Sequence, residues 1–440
     1  MERKYKDSGI EWIGRIPSEW KIYRIKYNTF LKGRIGWQGL NSNDFIDEGY
    51  CLITGTDFDN KGGINWNTCY RISKERFDED VLLHIKNGDL LMTKDGTIGK
   101  MAFIENLPEE ASLNSHLLII RQITNLMNNK YLYWVMLSDI FVKFYNLYQS
   151  GSTMNSISQG TLGLFSTPCP SKSEQLYIAD YLERKCGEID ALIALQEQMI
   201  AQLTDYKQSV ITEAVTKGLN PDAELVPSGI DWIGDIPKTW IVKKVKFAVD
   251  SISKGNGITK DEVFVNGDTS CVRYGEIYSK YNQSFNKCFS ATNIAIQKSP
   301  QYFKYGDILC AGTGELVEEI GKNVVYLGDS PCLAGGDIII VSHRQNPVFF
   351  NYALNSHYAQ IQKSRGKAKL KVVHISASEI GNVYIVLPSL AEQRTIADYL
   401  DSKCGEIDKL IEKKRQKIET LKGYKKSVIY EAVTGKTDVI

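Results

Sequence analysis

The chain is poor in the residues that metal sites, disulfide frameworks and membrane spans require. Its 440 residues include only five histidines, His84, His116, His343, His357 and His374, at no ligand-like spacing. A structural zinc site is therefore not expected, since it needs clustered ligands. The nine cysteines, Cys51, Cys69, Cys169, Cys186, Cys271, Cys288, Cys310, Cys332 and Cys404, are odd in number and form no CxxC pair. They read as buried thiols of a reducing compartment. No run approaches the length of a membrane-spanning helix, and the opening MERKYKDSGIEWIG lacks the apolar core of a signal peptide. A cytoplasmic location is expected. Excess charge is missing too: 53 Lys and Arg face 52 Asp and Glu. That excludes a polybasic coat protein and leaves room for one basic face.

Catalytic signatures are equally scarce. GTIGK at Gly96 lacks the spacing of a phosphate-binding loop, and no GxSxG or HExxH occurs. An adenine methyltransferase needs a [DNS]PP[YF] motif; Asn346-Pro347-Val348-Phe349 lacks the second proline. No acidic pair precedes a Glu-x-Lys in nuclease fashion. The expectation is a chain without catalysis of its own. Its length and its 43% hydrophobic, 24% charged composition fit a globular protein of two or three domains.

What is present is an internal duplication. SGIEWIGRIPSEW at 8–20 returns as SGIDWIGDIPKTW at 228–240, with nine identities in thirteen. Residues 174–216 return at 392–434 with 27 identities in 43, Cys186 answering Cys404. Between these anchors the halves diverge, yet a faint register survives. GDLLMTKDG at Gly88 matches GDILCAGTG at Gly306, CLITGTDF at Cys51 matches CVRYGEIY at Cys271, and HLLIIR at His116 matches DIIIVS at Asp337. A period near 220 means two domains in tandem, not a solenoid.

The repeated segments are helical. Ile189, Ile193, Ile200, Leu203 and Val210 fall on alternating steps of four and three, interrupted by Gln196 and Lys207. Ile407, Ile411, Ile418, Leu421 and Val428 repeat the pattern around Lys414 and Lys425. Each is an a/d seam suited to another helix. Gly187 and Gly405 predict a break between a short helix and a long one. The stretch 188–216 would span about 44 Å at 1.5 Å per residue. Segment 174–218 carries net −4 and segment 392–436 net +3, so the two favour each other over their own kind. The basic stretch Lys409–Lys426 complements the acidic first helix, or meets a polyanion.

The diverged middles read as mixed α/β, with short strands such as YCLITG, DLLMT, HLLIIR, DIIIVS and NVYIVL between Gly, Asn and Asp turns. An amphipathic helix is expected over 129–148, with a counterpart near 348–364. Segment 217–227 is a polar connector. The fold class is α+β: a mixed α/β domain over 1–170, a helical region over 171–218, a second such domain over 219–388 and a second helical region over 389–440. The two helices are expected to pair with each other. The matched ends are expected to come together, with Trp12 and Trp232 anchoring equivalent cores.

On these residues the chain resembles the specificity subunit of type I restriction-modification enzymes. The tandem of variable domain and EQxxIADYL helix carries the resemblance, together with SGIxWIGxIPxxW. PSLAEQRTIADYL at 388–400 follows the family pattern closely. CPSKSEQLYIADYL departs from it before Glu174, which predicts a local loop change. The resemblance implies that each variable domain is a target recognition domain reading half of a bipartite, asymmetric DNA site, and that the two helices pair as an antiparallel coiled coil with pseudo-twofold symmetry that sets the spacer. It implies two methyltransferase (modification) subunits and restriction subunits as partners on double-stranded DNA. S-adenosylmethionine, ATP and Mg belong to those partners, and this chain holds no cofactor.

Candidate DNA contacts follow from side-chain chemistry. KSRGKAKLK supplies Lys363, Arg365, Lys367, Lys369 and Lys371 with no acid among them, which suits phosphates. The corresponding QSGSTMNSISQ offers Gln149, Ser152, Thr153 and Asn155, whose amides and hydroxyls suit base edges. Further candidates are Lys32, Arg34 and Gln38 in LKGRIGWQG, Lys94 and Lys100 around the Gly96 turn, and Lys254 and Arg273. The near-neutral total charge suggests that DNA affinity is shared with the partners. The rival from another class is a coiled-coil scaffold with two protein- or carbohydrate-binding domains.

Overall fold

The computed structural model describes residues 3–34, 40, 42–59, 61–148, 156–367 and 372–437. The chain forms two compact units, one of Met1–Gln196 with Gln416–Ile440 and one of Glu197–Arg415. In the first unit the two ends of the chain meet. Tyr5 donates its hydroxyl to Gly435 O at 2.8 Å, and Tyr430 donates to Ile13 O at 3.2 Å. Trp12 packs 6.2 Å from Phe144 at the edge of one core, and Trp232 lies against the equivalent core of the second unit.

The faint register between the halves is a register of strands. In the first unit an antiparallel sheet runs Thr29–Gly33, Leu117–Gln122, Leu90–Thr93, Met101–Phe103. Beside it, Tyr50–Ile53 pairs antiparallel to Tyr70–Ile72 and parallel to Ala111–Leu113. The second unit repeats this plan. Its larger sheet runs Ser251–Lys254, Ile338–Ser342, Ile308–Ala311, Asn323–Tyr326, Ser284–Phe285. Its smaller one places Thr269–Val272 antiparallel to Ser290–Thr292 and parallel to Cys332–Ala334. The continuous apolar runs are explained by burial on both faces. Leu118 and Ile120 enter one core while Leu117 and Ile119 enter another. Ile339 and Val341 are likewise divided from Ile338 and Ile340.

The repeated motifs are the joints that fix helix to domain. Trp20 donates its indole N–H to Glu174 at 3.0 Å, and Trp240 donates to Glu392 at 3.2 Å. Gln175 accepts from Asn128 N at 2.7 Å and Gln393 from Asn346 N at 2.9 Å, so each ties its long helix to the cap of another. The long helices are Lys172–Lys217 and Leu390–Val433. They begin at equivalent residues, with Ser171 Oγ and Ser389 Oγ each accepting a backbone N–H at 3.3 Å. The loop change expected from CPSKSEQ is therefore absent, because the capping serine and the two anchoring side chains are all retained.

The break expected at Gly187 and Gly405 is also absent, and both helices run unbroken through these glycines. A Cβ at either position would meet open space. Glycine loses no hydrogen bond and weakens a helix by only about 1 kcal/mol, which flanking packing outweighs. The break falls elsewhere. The segment 129–148 is two helices, Asn129–Leu137 and Asp139–Tyr148, turning at Ser138. Its counterpart turns at Ser356 between Pro347–Asn355 and His357–Ser364. Each serine hydroxyl bonds the carbonyl three residues back at 2.6 Å.

The long helices pair antiparallel. Within the first unit Ile189, Ile193, Leu421 and Val428 share a core, and Lys425 Nζ bonds Asp190 at 2.7 Å. Within the second unit Val210 and Cys404 share a core, and Lys207 Nζ bonds Asp408 at 2.7 Å. Ile407, Ile411 and Ile418 are buried, and Ile200 and Leu203 are half-buried. Lys414 Nζ reaches Met199 Sδ at 3.2 Å, while Gln196 is buried. The two ion pairs are copies of one interaction, 218 residues apart on each side. Each helix gives one lysine and one aspartate to them, so these bridges do not draw on the net-charge difference between the helices.

His343 sits beside Phe350, ring centroids 4.4 Å apart, and accepts from Gln345 N at Nδ1. Burial holds its imidazole at about 4, below the ordinary 6.5. The unfolded chain takes up this proton first, so the second unit loses stability as pH falls from about 6.5 towards 4. The expected loss is about 2–3 kcal/mol. Urea titrations at pH 7.5 and pH 4.5 check it, and His343→Phe should abolish most of the difference.

Candidate nucleic-acid interface

The sequence candidates are scattered along the chain, but the sheets bring Lys94 in the first domain, and Lys254, Arg273 and Lys367 in the second, to equivalent strand ends. In the first domain, Leu90–Thr93 ends at Lys94, whose N–H donates to His116 O at 2.9 Å. Lys94 O accepts from Ile157 N at 2.9 Å, and Asp95 forms an isolated bridge with Ser156. His116 Nδ1 lies 3.4 Å from Asp95. Three loops thus converge there: 94–99, 114–116, and the one arriving through Ser156. Thr93 Oγ1 braces the first by donating to Thr97 O at 2.5 Å and accepting from Lys100 N at 3.0 Å.

The second domain repeats the joint with other side chains. Ile308–Ala311 ends at Gly312, which donates to Asp337 O at 2.6 Å and accepts from Ile375 N at 2.9 Å. Thr313 pairs with His374 as Asp95 does with Ser156, at the same 218-residue offset. The Thr313 hydroxyl lies 3.0 Å from His374 Nδ1, and Lys254 Nζ lies 3.2 Å from Asp337. Backbone crowding sets the glycines here. A Cβ on Gly255 would meet Gly335 O at 2.2 Å, which requires glycine at this crossing.

Ser156 and His374, the described residues that follow the two segments singled out by their chemistry, therefore occupy equivalent points. Gln149, Ser152, Thr153 and Asn155, with Gln38, Lys369 and Lys371, lie outside the described residues. Lys94 is half-buried and Lys100 exposed. Lys32 is paired with Asp80 at 2.8 Å. Lys367 reaches inward, its Nζ donating to His374 O at 2.6 Å and Glu379 at 2.7 Å. Arg365 is exposed, its guanidinium 5.2 Å from the Trp232 ring.

Two expectations are corrected. Arg34 is 1% exposed and donates to Leu113 O, Ser112 Oγ and Glu79, each at 3.2 Å. It braces the sheet from inside and presents no free charge. Lys363 is 2% exposed and lies on the helix His357–Ser364, not in a loop. Its ammonium donates to Gly321 O at 2.7 Å, and burial lowers it to about 8. Both residues sit beside glycines and other cations in sequence, which made them look like surface charge.

Sequence reading missed the cleft in which Arg273 stands. About 640 Å³ in volume, it is lined by Arg273, Tyr274, Glu276, Lys280, Phe289 and Ser290, with Lys260 and Asp337 at its edges. Glu276 accepts from Arg273 Nε at 3.4 Å and from Ser290, and Lys280 Nζ stands 4.9 Å from the exposed Phe289 ring. The paired glycines of GNG and AGGD were the available signal, since they mark close backbone approach. Arg suits guanine O6 and N7, aromatic faces suit stacking, and lysines suit phosphate. The equivalent end of the first domain carries Thr54, Thr56, Lys94, Asp95 and His116 instead. Among the described residues no group of three His, Cys, Asp or Glu is placed to hold a metal, and no helix is long and apolar enough to cross a membrane.

Two domains of one topology carry chemically unlike side chains at equivalent strand ends, and each is followed by a long helix. Comparison with known proteins agrees. Residues 36–205 match the model of the type I restriction modification DNA specificity domain. The type I restriction enzyme MjaVIII specificity subunit of Methanocaldococcus jannaschii is 27% identical over 436 residues, covering 97% of this chain and 94% of that one. The EcoKI specificity subunit of Escherichia coli is 21% identical over 253 residues, covering 56% of this chain and 51% of that one. Among solved structures, one from a study of type I R-M complex assembly and conformational transition superposes with a TM-score of 0.72 at 16% identity. It covers 96% of this chain and 99% of that one. The HsdS subunit from Thermoanaerobacter tengcongensis gives a TM-score of 0.50 at 16% identity, covering 96% and 98%. Over nearly its whole length the chain is similar to type I restriction enzyme specificity subunits, and residues 36–205 carry the match to the DNA specificity domain.

Proposed function

We propose that the chain reads DNA for a type I restriction-modification complex, each domain recognising one half of a bipartite, asymmetric site. The observation that carries this is the pair of equivalent loop clusters bearing different side chains. Phosphate contacts position a protein and base contacts specify, so unlike clusters on like scaffolds suit unlike half-sites. A helical spacer of about 44 Å compares with about 34–36 Å per DNA turn. Two methyltransferase subunits and the restriction subunits supply the chemistry, with S-adenosylmethionine, ATP and Mg bound by them. This chain contributes recognition without catalysis, in the cytoplasm, and its near-neutral charge leaves part of the DNA affinity to those partners.

Mapping methylated adenines in cells with and without this gene tests the proposal. The expected result is a two-part motif, its unlike halves separated by a fixed number of unread bases, which disappears with the gene. A single continuous motif, or methylation indifferent to the gene, contradicts it.

A further inference from the structure

Among the described residues, Asp337 is the one non-glycine residue with a positive φ, +60°. That backbone is strained for an L-residue, and apart from glycine only Asn and Asp take it readily. Such strain persists where the surroundings impose it, and it gathers at binding sites. Here the turn between Cys332–Ala334 and Ile338–Ser342 is held from both sides. Gly335 N donates to Val272 O at 2.8 Å, and Asp337 O accepts from Gly312 N at 2.6 Å. Other aspartates close their turns by accepting a backbone N–H, Asp59 from Lys61 and Asp307 from Lys304. Asp337 does not. Among the described residues its carboxylate pairs with Lys254 alone, at 3.2 Å, and the side chain stays 44% exposed. It stands between two clefts, the one holding Arg273 and another of about 380 Å³ bordered by Lys254 and His374. The equivalent position in the first domain is His116, whose carbonyl accepts from Lys94 N at 2.9 Å in the same joint. One place in the fold thus carries a carboxylate in one domain and an imidazole in the other.

We propose, resting on the DNA-reading role given above, that Asp337 is a specificity-determining residue whose carboxylate accepts a hydrogen bond from the exocyclic amine of a cytosine in one half-site. An ionised carboxylate offers acceptors only. It therefore suits cytosine N4 and repels guanine O6 and N7 or thymine O4 at the same place, while adenine sets its N7 acceptor beside its amine. A carboxylate near phosphates weakens binding to every sequence that gives it no donor, and this penalty is what selects. Lys254 ends the strand Ser251–Lys254 and is 64% exposed. It neutralises the acid in the free chain and turns to a backbone phosphate on the duplex.

The test uses the complete methyltransferase complex and a library of duplexes varied throughout the site, with methyl transfer as the readout. Asp337→Asn keeps the size of the side chain and its tolerance of this backbone, and exchanges one acceptor for a donor. The expected result is a loss of preference for cytosine, roughly tenfold or more, at one position of one half-site, with adenine gaining there. Asp337→Gly relieves the backbone and should lose the same preference without a fall in melting temperature. Lys254→Met should instead weaken all duplexes alike and reduce the salt slope by about 1. The control exchanges residues 241–387 for those of a relative with another target, the ends being neighbours because Ile241 lies opposite Leu387. Unchanged base preference in both Asp337 variants, where this exchange still rewrites one half-site, overturns the role of Asp337 and leaves the DNA-reading role of the domain standing. An exchange that leaves the motif unchanged overturns that role, and Asp337 with it.

Discussion

Replacing residues 21–169 with the same segment from a relative of different target is expected to rewrite one half of the methylated sequence and leave the other half unchanged. The graft is physically sensible because its ends are neighbours. Lys21–Arg24 pairs with Ser166–Cys169, placing Lys21 opposite Cys169. The anchors that hold the domain to its helix, Trp20, Glu174 and Gln175, lie outside the exchanged segment. What must be kept is the packing of residues such as Tyr131 and Phe144 against Ile178, Ile429 and Val433. Mapping of methylated adenines reads the result. Complete loss of methylation at the old site with gain at a hybrid site is expected; an unchanged motif contradicts a reading role for the first domain.

The largest stability effect is expected from Arg121→Met. Asp89 is 1% exposed and takes two hydrogen bonds from Arg121, at 2.7 and 2.6 Å. It also accepts from Lys86 N at 2.8 Å, closing the turn that Gly88 makes at φ +87°. Removing the arginine leaves a buried, unpaired carboxylate, which costs about 3–5 kcal/mol. Asp89→Asn in the same chain should recover most of that, because the neutral amide tolerates burial. Urea denaturation of the single and double variants decides the matter. The second domain already lives with the uncharged version of this site: Ser342 stands where Arg121 does, and Asp307 keeps the turn bond to Lys304 N at 2.9 Å. Burial raises the Asp307 carboxyl above its ordinary range, with that turn bond and Ser342 opposing. A loss under 1 kcal/mol on Arg121→Met would show that the Asp89 charge does not depend on its partner.

The parts of this molecule legible in sequence are those fixed by repetition. EQxxIADYL and WIGxIPxxW survive twice because Glu174 and Glu392 meet the same tryptophans. The strand pairs Leu90 with Ile308 and Cys51 with Cys271 were visible because a buried sheet tolerates only apolar runs. Continuity of the helices past Gly187 and Gly405 was not legible, since a weak local preference yields to packing. Arg34 and Lys363 were misplaced because charge alone does not tell a bonded interior cation from a surface one. The convergence of loops at Lys94 and Gly312 depends on strands far apart in the chain, which no local pattern records.

The reading role of the loop clusters is tested most directly by Arg273→Ala, assayed as the complete methyltransferase complex on a library of duplexes varied at every position of the site. Removing a base-reading arginine should relax discrimination by about 1–3 kcal/mol, roughly tenfold or more, at one or two positions of a single half-site. The other half should be unaffected. A uniform fall across all sequences, or unaltered discrimination everywhere, would contradict the assignment of base recognition to this face.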